Sequence, residues 1–350
     1  MKKLIYIITA FALALSACEK TLDFPIEYKQ PKLVLNCVLS NNSEINFTVS
    51  RSMHILDSKE IVMIPDADVI IFEDDKPLQV VPVSNGAGHY HASYTPKIGH
   101  TYKFQISKDG FESIEAEATL LDPTTINRFS CNAKVSDYDD IYYGNGTYSI
   151  SINFNDNQQQ ENYYMIKMTG EFPQDMKDYL SGLYEDNFLA YQILDSTYEL
   201  FLECNDQSVG RNSDGTSLFI ADEIIVGGNY TVKFNAYDYR DLYGIFYDMS
   251  YYNSIEDTTG NQGNGIENLP FYQEYEYNII VHLQVINKDY YQYEKSYYLY
   301  NENDGNPFAE PTLVKTNVKN GLGILGSSCE VTDTVKFVIK NPYWEEGEKK

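Results

Sequence analysis

Positive charge is scarce in this sequence. Its 350 residues contain 26 Lys and Arg against 51 Asp and Glu, which gives a formal net charge of −25. A field of this sign repels phosphate backbones and anionic lipid headgroups, so it argues against nucleic acid as a partner and against membrane docking through charge alone. The sequence also lacks an apolar run long enough to cross a bilayer, since the one apolar stretch near the N-terminus is too short.

Sequence patterns that carry catalytic chemistry are missing as well. There is no His-Glu-x-x-His zinc motif, no glycine loop that cradles phosphates and no Gly-x-Ser-x-Gly nucleophile elbow. We therefore expect a binding or accessory protein that is not an enzyme and uses no cofactor. Two alternatives stay open: a secreted hydrolase acting on glycans, which only the carboxylates and aromatic residues support, and an adhesive or structural surface protein.

Tyrosine is the residue present in excess. The chain has 32 Tyr and 17 Phe beside a single Trp, and 43% of its residues are hydrophobic, which favours packed cores and β-strands. Six tyrosines crowd the segment 237–252. Aromatic side chains with a polar tip are typical of protein interfaces and of sugar stacking, but β propensity alone explains such a cluster equally well.

The N-terminus predicts a lipid anchor. Two lysines precede an apolar stretch at 4–15, and the sequence Leu-Ser-Ala-Cys then ends at Cys18. This pattern matches the bacterial lipobox, in which a peptidase cuts before the cysteine and its thiol carries a diacylglycerol. We predict a signal peptide at 1–17, lipidation of Cys18 with further acylation such as palmitate, and a tether at 18–31 that holds the protein to a membrane.

Four further cysteines lie along the chain, at Cys37, Cys131, Cys204 and Cys329. An even number in an exported protein allows two disulfides. Each cysteine also lies on the apolar face of an alternating segment, which suits four buried free thiols equally. None belongs to a Cys-x-x-Cys pair, so the spacing supports neither a redox motif nor a zinc site.

Alternating apolar and polar residues predict a mostly β fold. Residues 32–121 contain about seven such segments separated by turn residues, which indicates an immunoglobulin-like β-sandwich able to fold alone. The segment 66–72 ends apolar on both faces, as expected for a buried central strand. After an Asp-Pro linker, residues 125–344 predict a second, larger β-rich domain with one or two short helices, and residues 345–350 form a charged tail.

Two helices are expected in this second domain. One begins after Pro173, and the other is capped by Asn287. The second helix carries tyrosines on one face, at Tyr290, Tyr293, Tyr297 and Tyr300.

A partner-contact surface is predicted near residues 289–324. Two prolines stiffen the loop around Phe308, which would be its apolar tip, and Tyr290 and Tyr293 lie on the neighbouring helix. The rival interpretation is internal: Phe308 fills the core of the second domain, and the helical tyrosines are core residues too.

Metal ligands are a further hypothesis. His89 and His91 are two residues apart, so on a strand they share a face and could bind a metal with a third, distant ligand.

Asn301, Asn303 and Asp304 place oxygen donors at near-alternate positions before a glycine, as in calcium loops. The distal Glu of such loops is not at the expected spacing. An exposed strand pair and solvated turns explain the same residues, and we favour that interpretation.

Several local motifs carry a family resemblance. They are Asn162-Tyr163-Tyr164 after Phe154-Asn155-Asp156, Asp222-Glu223 before Gly227-Gly228, Asp289-Tyr290-Tyr291-Gln292-Tyr293, and Asn306-Pro307-Phe308-Ala309-Glu310-Pro311 with Asn317 and Asn320-Gly321-Leu322-Gly323-Ile324. With the lipobox and the early sandwich, they resemble the Bacteroidota outer-membrane lipoproteins grouped as domain of unknown function 4249, over nearly the whole mature chain. The four cysteines and an Asn- and Gly-rich segment at 250–270 depart from that pattern.

The resemblance implies a location and a partner but no activity. It implies a lipoprotein anchored in the outer membrane, facing the cell surface or the periplasm. Such lipoproteins are commonly found with TonB-dependent transporters, so a transporter of this class is the expected partner. The resemblance supplies no catalytic residue.

Overall fold

The structure is a computed structural model. It describes residues 30–53, 60–79, 82–134, 146–172, 174, 177, 198–239, 274–303, 309–310 and 312–340. The predicted signal peptide, most of the tether, the segment 250–270 and the tail 345–350 lie outside these residues.

Strands dominate the described residues, as the alternating sequence predicts. In chain order they are β1 (Leu33–Ser40), β2 (Ile45–Arg51), β3 (Asp68–Glu73), β4 (Lys76–Pro77), β5 (Val83–Ser84), β6 (His89–Ala92), β7 (Thr101–Ser107), β8 (Ile114–Thr119), β9 (Ile126–Lys134), β10 (Gly146–Asn155), β11 (Tyr163–Glu171), β12 (Phe201–Glu203), β13 (Gly210–Arg211), β14 (Ser217–Ile220), β15 (Asn229–Asp238), β16 (Glu274–Ile286) and β17 (Leu322–Lys340). A 3₁₀ helix covers Asp222–Ile224, and the helix α1 covers Lys288–Asn303. The mostly β fold class is confirmed.

The strands form one long sheet and two small ones. The long sheet has nine strands in the order β13-β14-β11-β16-β17-β1-β2-β6-β5. The N-terminal small sheet has the order β4-β3-β7-β8, and the C-terminal small sheet has the order β12-β15-β10-β9. Strands from both predicted domains therefore share the long sheet. They join where β1 pairs in parallel with β17, residues 34–40 opposite residues 322–328.

Each small sheet packs on a different part of the long sheet, which makes two sandwiches with separate cores. The N-terminal core includes Phe47 and Phe104, together with Val318 and Leu325 from the C-terminal part of the chain. The C-terminal core is built mainly from β10, β11, β15 and β16, with large side chains such as Tyr164. Burial of apolar surface on this scale supplies most of the driving force for folding.

The helix α1 covers part of the opposite face of the long sheet. Asn287 caps it, as predicted, because its Oδ1 accepts the backbone N–H of Tyr290 at 3.3 Å. Tyr290 and Tyr291 pack on a small third cluster that includes Met165 and Phe219. Of the helix predicted after position 173, the structure describes only residues 174 and 177, and both are helical.

One strand differs from its prediction. The segment that ends at Phe72 is expected to be buried on both faces, but in β3 Ile71 is buried whereas Ile70 is 51% exposed. The reason is that the N-terminal small sheet covers the core with one face only and presents its other face to solvent.

The four cysteines between residues 37 and 329 are free thiols. Cys37, Cys131 and Cys329 are buried, and Cys204 is half-buried. Burial raises the pKa of Cys131 to about 12 and that of Cys329 to about 11, and it also raises the pKa of Cys37. Such thiols behave as small hydrophobic side chains.

Candidate functional site

Three of the predicted site residues lie outside the described residues. They are Cys18, Asp304 and Phe308. Lipidation of Cys18 and the role of Phe308 therefore stay predictions.

The two histidines proposed as metal ligands share a face of β6, as their spacing predicts. Both His89 and His91 are exposed, on either side of the buried Tyr90. One ring nitrogen of His91 lies 3.1 Å from Asn46 Oδ1, and the other lies 2.9 Å from Glu44 Oε2. Across the described parts of the chain, no three His, Cys, Asp or Glu side chains lie close enough to hold a metal ion.

The residues proposed as calcium donors lie on a helix. Asn301 and Asn303 are in the last turn of α1. The Asn303 side-chain amide donates to Thr312 Oγ1 at 2.9 Å, so it ties the end of the helix to the segment that follows. Helical backbone at these two positions differs from the loop that an EF-hand-like site requires.

A groove brings three of the predicted residues together. It is open, has a volume of about 460 Å³, and runs between α1 and the face of β1, β2 and β6 that points away from the core. Tyr290, Tyr293 and Glu294 of α1 lie on one side, and His89 and Thr48 lie on the strands opposite. The sequence offers no sign that His89 and the tyrosine helix meet, because the two are far apart along the chain.

Tyr290 is an anchor of this helix. A Cβ atom at Gly326 of β17 would lie 2.8 Å from the Tyr290 ring, so only glycine lets the helix approach the sheet this closely. Burial raises the pKa of Tyr290. Tyr290 therefore packs inside the protein, which is the alternative to partner contact that the sequence suggests for the helical tyrosines.

The other tyrosines on this side of α1 are more accessible. Tyr293 and Tyr297 stack, with ring centroids 6.2 Å apart and planes at 6°, as residues four apart on a helix can. Tyr297 is 42% exposed and Tyr300 is 49% exposed. We call Tyr293, Tyr297 and Tyr300 the aromatic row of α1.

A carboxyl group on the same helix is partly withdrawn from water. Burial raises the pKa of the Glu294 carboxyl, and the Lys167 ammonium opposes the shift. Lys167 is itself paired with Glu199 at 2.6 Å. A groove with an aromatic wall beside amide, hydroxyl and imidazole groups has the chemistry of a contact surface.

Sequence motifs from different parts of the chain meet at a second place, where β10 ends and β11 begins. The buried Asn162 donates to two carboxylates, its backbone N–H to Asp222 Oδ1 at 3.3 Å and its side-chain amide to Asp156 Oδ1 at 3.4 Å. The Tyr164 hydroxyl donates to the same Asp156 oxygen at 2.6 Å. Burial raises the pKa of Asp222, and the neighbouring carboxylates of Asp156 and Glu223 add to the shift. These hydrogen bonds hold the end of β10, the start of β11 and the 3₁₀ helix together, so the role of these motif residues is structural.

The glycine-rich motif is structural too. Asn317 donates its side-chain amide to the carbonyl oxygens of Glu117 and Leu325, at 3.2 and 2.9 Å. Its Oδ1 accepts the Leu325 N–H at 3.0 Å. Gly323 then passes so close to β1 that a Cβ atom would lie 2.0 Å from Leu35 O. The motif therefore fastens the start of β17 to both sheets of the N-terminal sandwich.

Comparison with known proteins gives a family without an activity. No curated protein matches the chain. The model of a family described as a domain of unknown function (DUF4249) matches residues 19–334, which is most of the chain. The chain belongs to the DUF4249 family.

Proposed function

We propose that the protein is a lipid-anchored, non-enzymatic binding module of the outer membrane, and that its aromatic row of α1 contacts a membrane partner. The observation that carries this proposal is the row itself, with Tyr297 42% and Tyr300 49% exposed beside an open groove. Tyr side chains are enriched at protein interfaces because each offers a large apolar ring and a hydroxyl at low entropic cost.

The helix that carries the row is held rigidly. Tyr290 is fixed against Gly326, and Ser296 Oγ accepts the backbone N–H of Lys315 at 2.8 Å from the segment that returns along the helix. A surface that is ordered before binding loses little conformational entropy when a partner docks. Rigidity and exposure together favour recognition of a protein surface.

The partner we propose is a TonB-dependent transporter of the outer membrane. We propose this partner because of the family resemblance and the predicted anchor at Cys18. Such an anchor would hold the aromatic row close to a membrane. In the described residues, no helix combines the length and the apolar character that crossing a membrane requires. An acyl anchor on Cys18 is our proposal for how the protein is retained there.

The anchor is tested by replacing Cys18 with Ala. Wild-type protein is expected in the outer-membrane fraction, with a lipid-modified N-terminus detectable by mass spectrometry. Cys18→Ala is expected to remain unprocessed or to leave that fraction. A variant that matures and fractionates like wild type would contradict the lipobox prediction.

The contact surface is tested by mild detergent extraction and affinity purification of the full protein. We expect a TonB-dependent transporter to co-purify, and its recovery to fall by about tenfold with Tyr297→Ala, as for an interface residue of central importance. Val83→Ala is the control, since Val83 is 66% exposed on the edge strand β5. Equal recovery with Tyr297→Ala and Val83→Ala, at unchanged thermal stability, would rule out the aromatic row as the contact surface.

A further inference from the structure

The outward face of the C-terminal small sheet is mostly polar. Alternation along β10 turns Ile150 and Ile152 into the core, and their neighbours point to the other side. The outward side chains on β9, β10 and β15 include many hydroxyls and amides: Ser130, Asn132, Ser149, Ser151, Asn153, Asn155, Asn229, Thr231 and Asn235. In an antiparallel sheet such groups recur about 4.8 Å apart between strands and about 6.8 Å apart along them.

One half of this face satisfies its own hydrogen bonds. Asn127 donates to Asn153 Oδ1 at 3.0 Å and to Asn155 Oδ1 at 2.8 Å. Asn153 donates to Asn229 Oδ1 at 2.7 Å and to Thr231 Oγ1 at 2.8 Å. We call Asn127, Asn153, Asn155 and Asn229 the asparagine quartet. With its donors already used, the quartet has little left to offer a ligand.

The other half is open and far less satisfied. It forms a shallow groove of about 430 Å³ that is lined by Ser130, Asn132, Ser149, Ser151 and Asn235. The bonds inside it are long: Ser149 Oγ donates to Asn235 Oδ1 at 3.5 Å, and Ser130 Oγ donates to the Ser151 carbonyl at 3.4 Å. Within the described residues, the Asn132 amide and the Ser151 hydroxyl have no protein partner. These groups are free to bind the hydroxyls of a ligand.

An aromatic platform adjoins this groove. Tyr237 and Tyr239 follow Asn235 along β15 and just beyond its end, with ring centroids 6.1 Å apart and planes at 9°. Phe201 of β12 lies 5.9 Å from Tyr239 and 6.1 Å from Tyr237. The Tyr237 hydroxyl donates to Glu203 Oε2 at 2.7 Å, which orients its ring, and Tyr239 is 54% exposed.

The lining of the groove carries more negative than positive charge. Glu203 and Asp206 carry the two negative charges of the lining, and Lys233 carries its one positive charge. The chain as a whole is also negative, with a formal net charge of −25. Such a lining repels anionic ligands, so a neutral ligand suits the groove better than an anionic one.

From this juxtaposition we propose that the outward face of the C-terminal small sheet binds a neutral oligosaccharide, with the groove contacting its hydroxyl groups and the Tyr237–Tyr239 platform stacking on a sugar ring. A pyranose has an apolar face of C–H groups and a rim of hydroxyls. The exposed Tyr239 ring can stack on the C–H face and bury its apolar area. The serine and asparagine side chains can exchange hydrogen bonds with the sugar hydroxyls as donors and acceptors. The site is separate from α1, so it goes beyond the contact with a membrane partner.

The test uses the full chain, solubilised in detergent, in native affinity electrophoresis. The gels contain laminarin, soluble starch, α-mannan or arabinoxylan as neutral probes, and polygalacturonate as the anionic probe. We expect at least one neutral polysaccharide to retard the protein and polygalacturonate to leave its mobility unchanged. Absence of retardation by all of the neutral probes, or equal retardation by polygalacturonate, would overturn the proposal.

Variants locate the site. Tyr239→Ala and Asn132→Ala are expected to weaken the affinity for the retarding polysaccharide by about tenfold, as loss of a stacking ring or of a hydrogen-bonding amide does. Tyr239→Phe, which keeps the ring, and Asn127→Ala, which lies on the same strand as Asn132 but in the quartet, should bind as wild type. Thermal unfolding checks that each variant is folded. If Tyr239→Ala binds as tightly as wild type, the site is wrong, whatever the result of the transporter co-purification.

Discussion

At the scale of single residues, Gly323 shows how closely β17 approaches β1. Its φ is +92°, and a Cβ atom there would lie 2.0 Å from the carbonyl oxygen of Leu35. Backbone in this region of φ favours glycine, and a backbone oxygen on the neighbouring strand cannot move aside as a flexible side chain can. A larger residue at this position would therefore destabilise the fold in two ways, through its unfavourable φ and through its clash with the Leu35 carbonyl oxygen.

We expect Gly323→Ala to lower the free energy of unfolding by about 3 kcal/mol or more, the range of strained and overpacked core positions. Gly110→Ala is the matched control, since Gly110 has φ +86° but nothing within 4 Å of its Cβ position. It should lose only about 1–2 kcal/mol, from backbone conformation alone. Urea denaturation of the two variants measures the difference, and equal losses would show that the contact with Leu35 is not tight.

The residues that sequence reasoning can and cannot place differ in the range of their contacts. The cap at Asn287 is a local feature, because the residue and its partner Tyr290 are three positions apart, and the sequence predicts it correctly. The bond between Asn162 and Asp222 joins residues 60 positions apart, and no local pattern encodes such a meeting. The motif residues are visible in the sequence, but their structural role is not.

At the scale of elements, α1 and β17 depend on the same side chain. Asn287 Oδ1 accepts two backbone N–H groups, that of Tyr290 in the first turn of the helix at 3.3 Å and that of Ser327 in β17 at 3.1 Å. A residue that caps a helix and also accepts a backbone N–H of a strand contributes more to stability than either hydrogen bond alone. The reason is that a buried N–H left without a partner raises the free energy of the folded state.

We therefore expect Asn287→Ala to destabilise the protein by about 2 kcal/mol or more, from a lost cap and an unsatisfied buried donor. The comparison is Asn301→Ala, in the last turn of the same helix, which should change stability by less than about 0.5 kcal/mol. Thermal unfolding and urea unfolding of both variants give the measurement. A cost for Asn287→Ala no larger than that for Asn301→Ala would mean that water replaces the side chain at both N–H groups.

The strands themselves are largely predictable, but their neighbours are not. Alternation identifies the segments around Phe47, Phe104 and Ile152 as strands and identifies which side chains enter the core. The parallel pairing of β1 with β17 joins an early strand to a late one, and a period of two residues carries no information about a partner so distant. For the same reason the outward polar face of β9, β10 and β15 becomes a single surface only in the folded sheet.

At the scale of the whole molecule, the two sandwiches are joined through the long sheet. The N-terminal core contains Val318 and Leu325, and Lys319 forms a β-bridge with Glu115 of β8. Ser327 Oγ also donates to the Thr119 carbonyl at 2.6 Å. Residues from the C-terminal part of the chain thus complete the N-terminal sandwich. The predicted boundary after residue 121 is untested, but these contacts lead us to expect that residues 32–121 do not fold alone, contrary to the prediction from the sequence.

We expect a fragment of residues 32–121 to show no cooperative unfolding transition. Without β17, β1 would become an open edge strand, and the core would lose the side chains of Val318 and Leu325. The same fragment joined to residues 312–330 by a Gly/Ser linker should regain a cooperative transition, since β17 would again pair with β1. Leu325→Asp in the joined protein is the control, because Leu325 is fully buried and a charge there should abolish the gain. Circular dichroism during urea denaturation distinguishes the three proteins. If 32–121 alone unfolds cooperatively at the same urea concentration as the joined protein, the N-terminal sandwich is an independent domain and β17 merely docks on its edge.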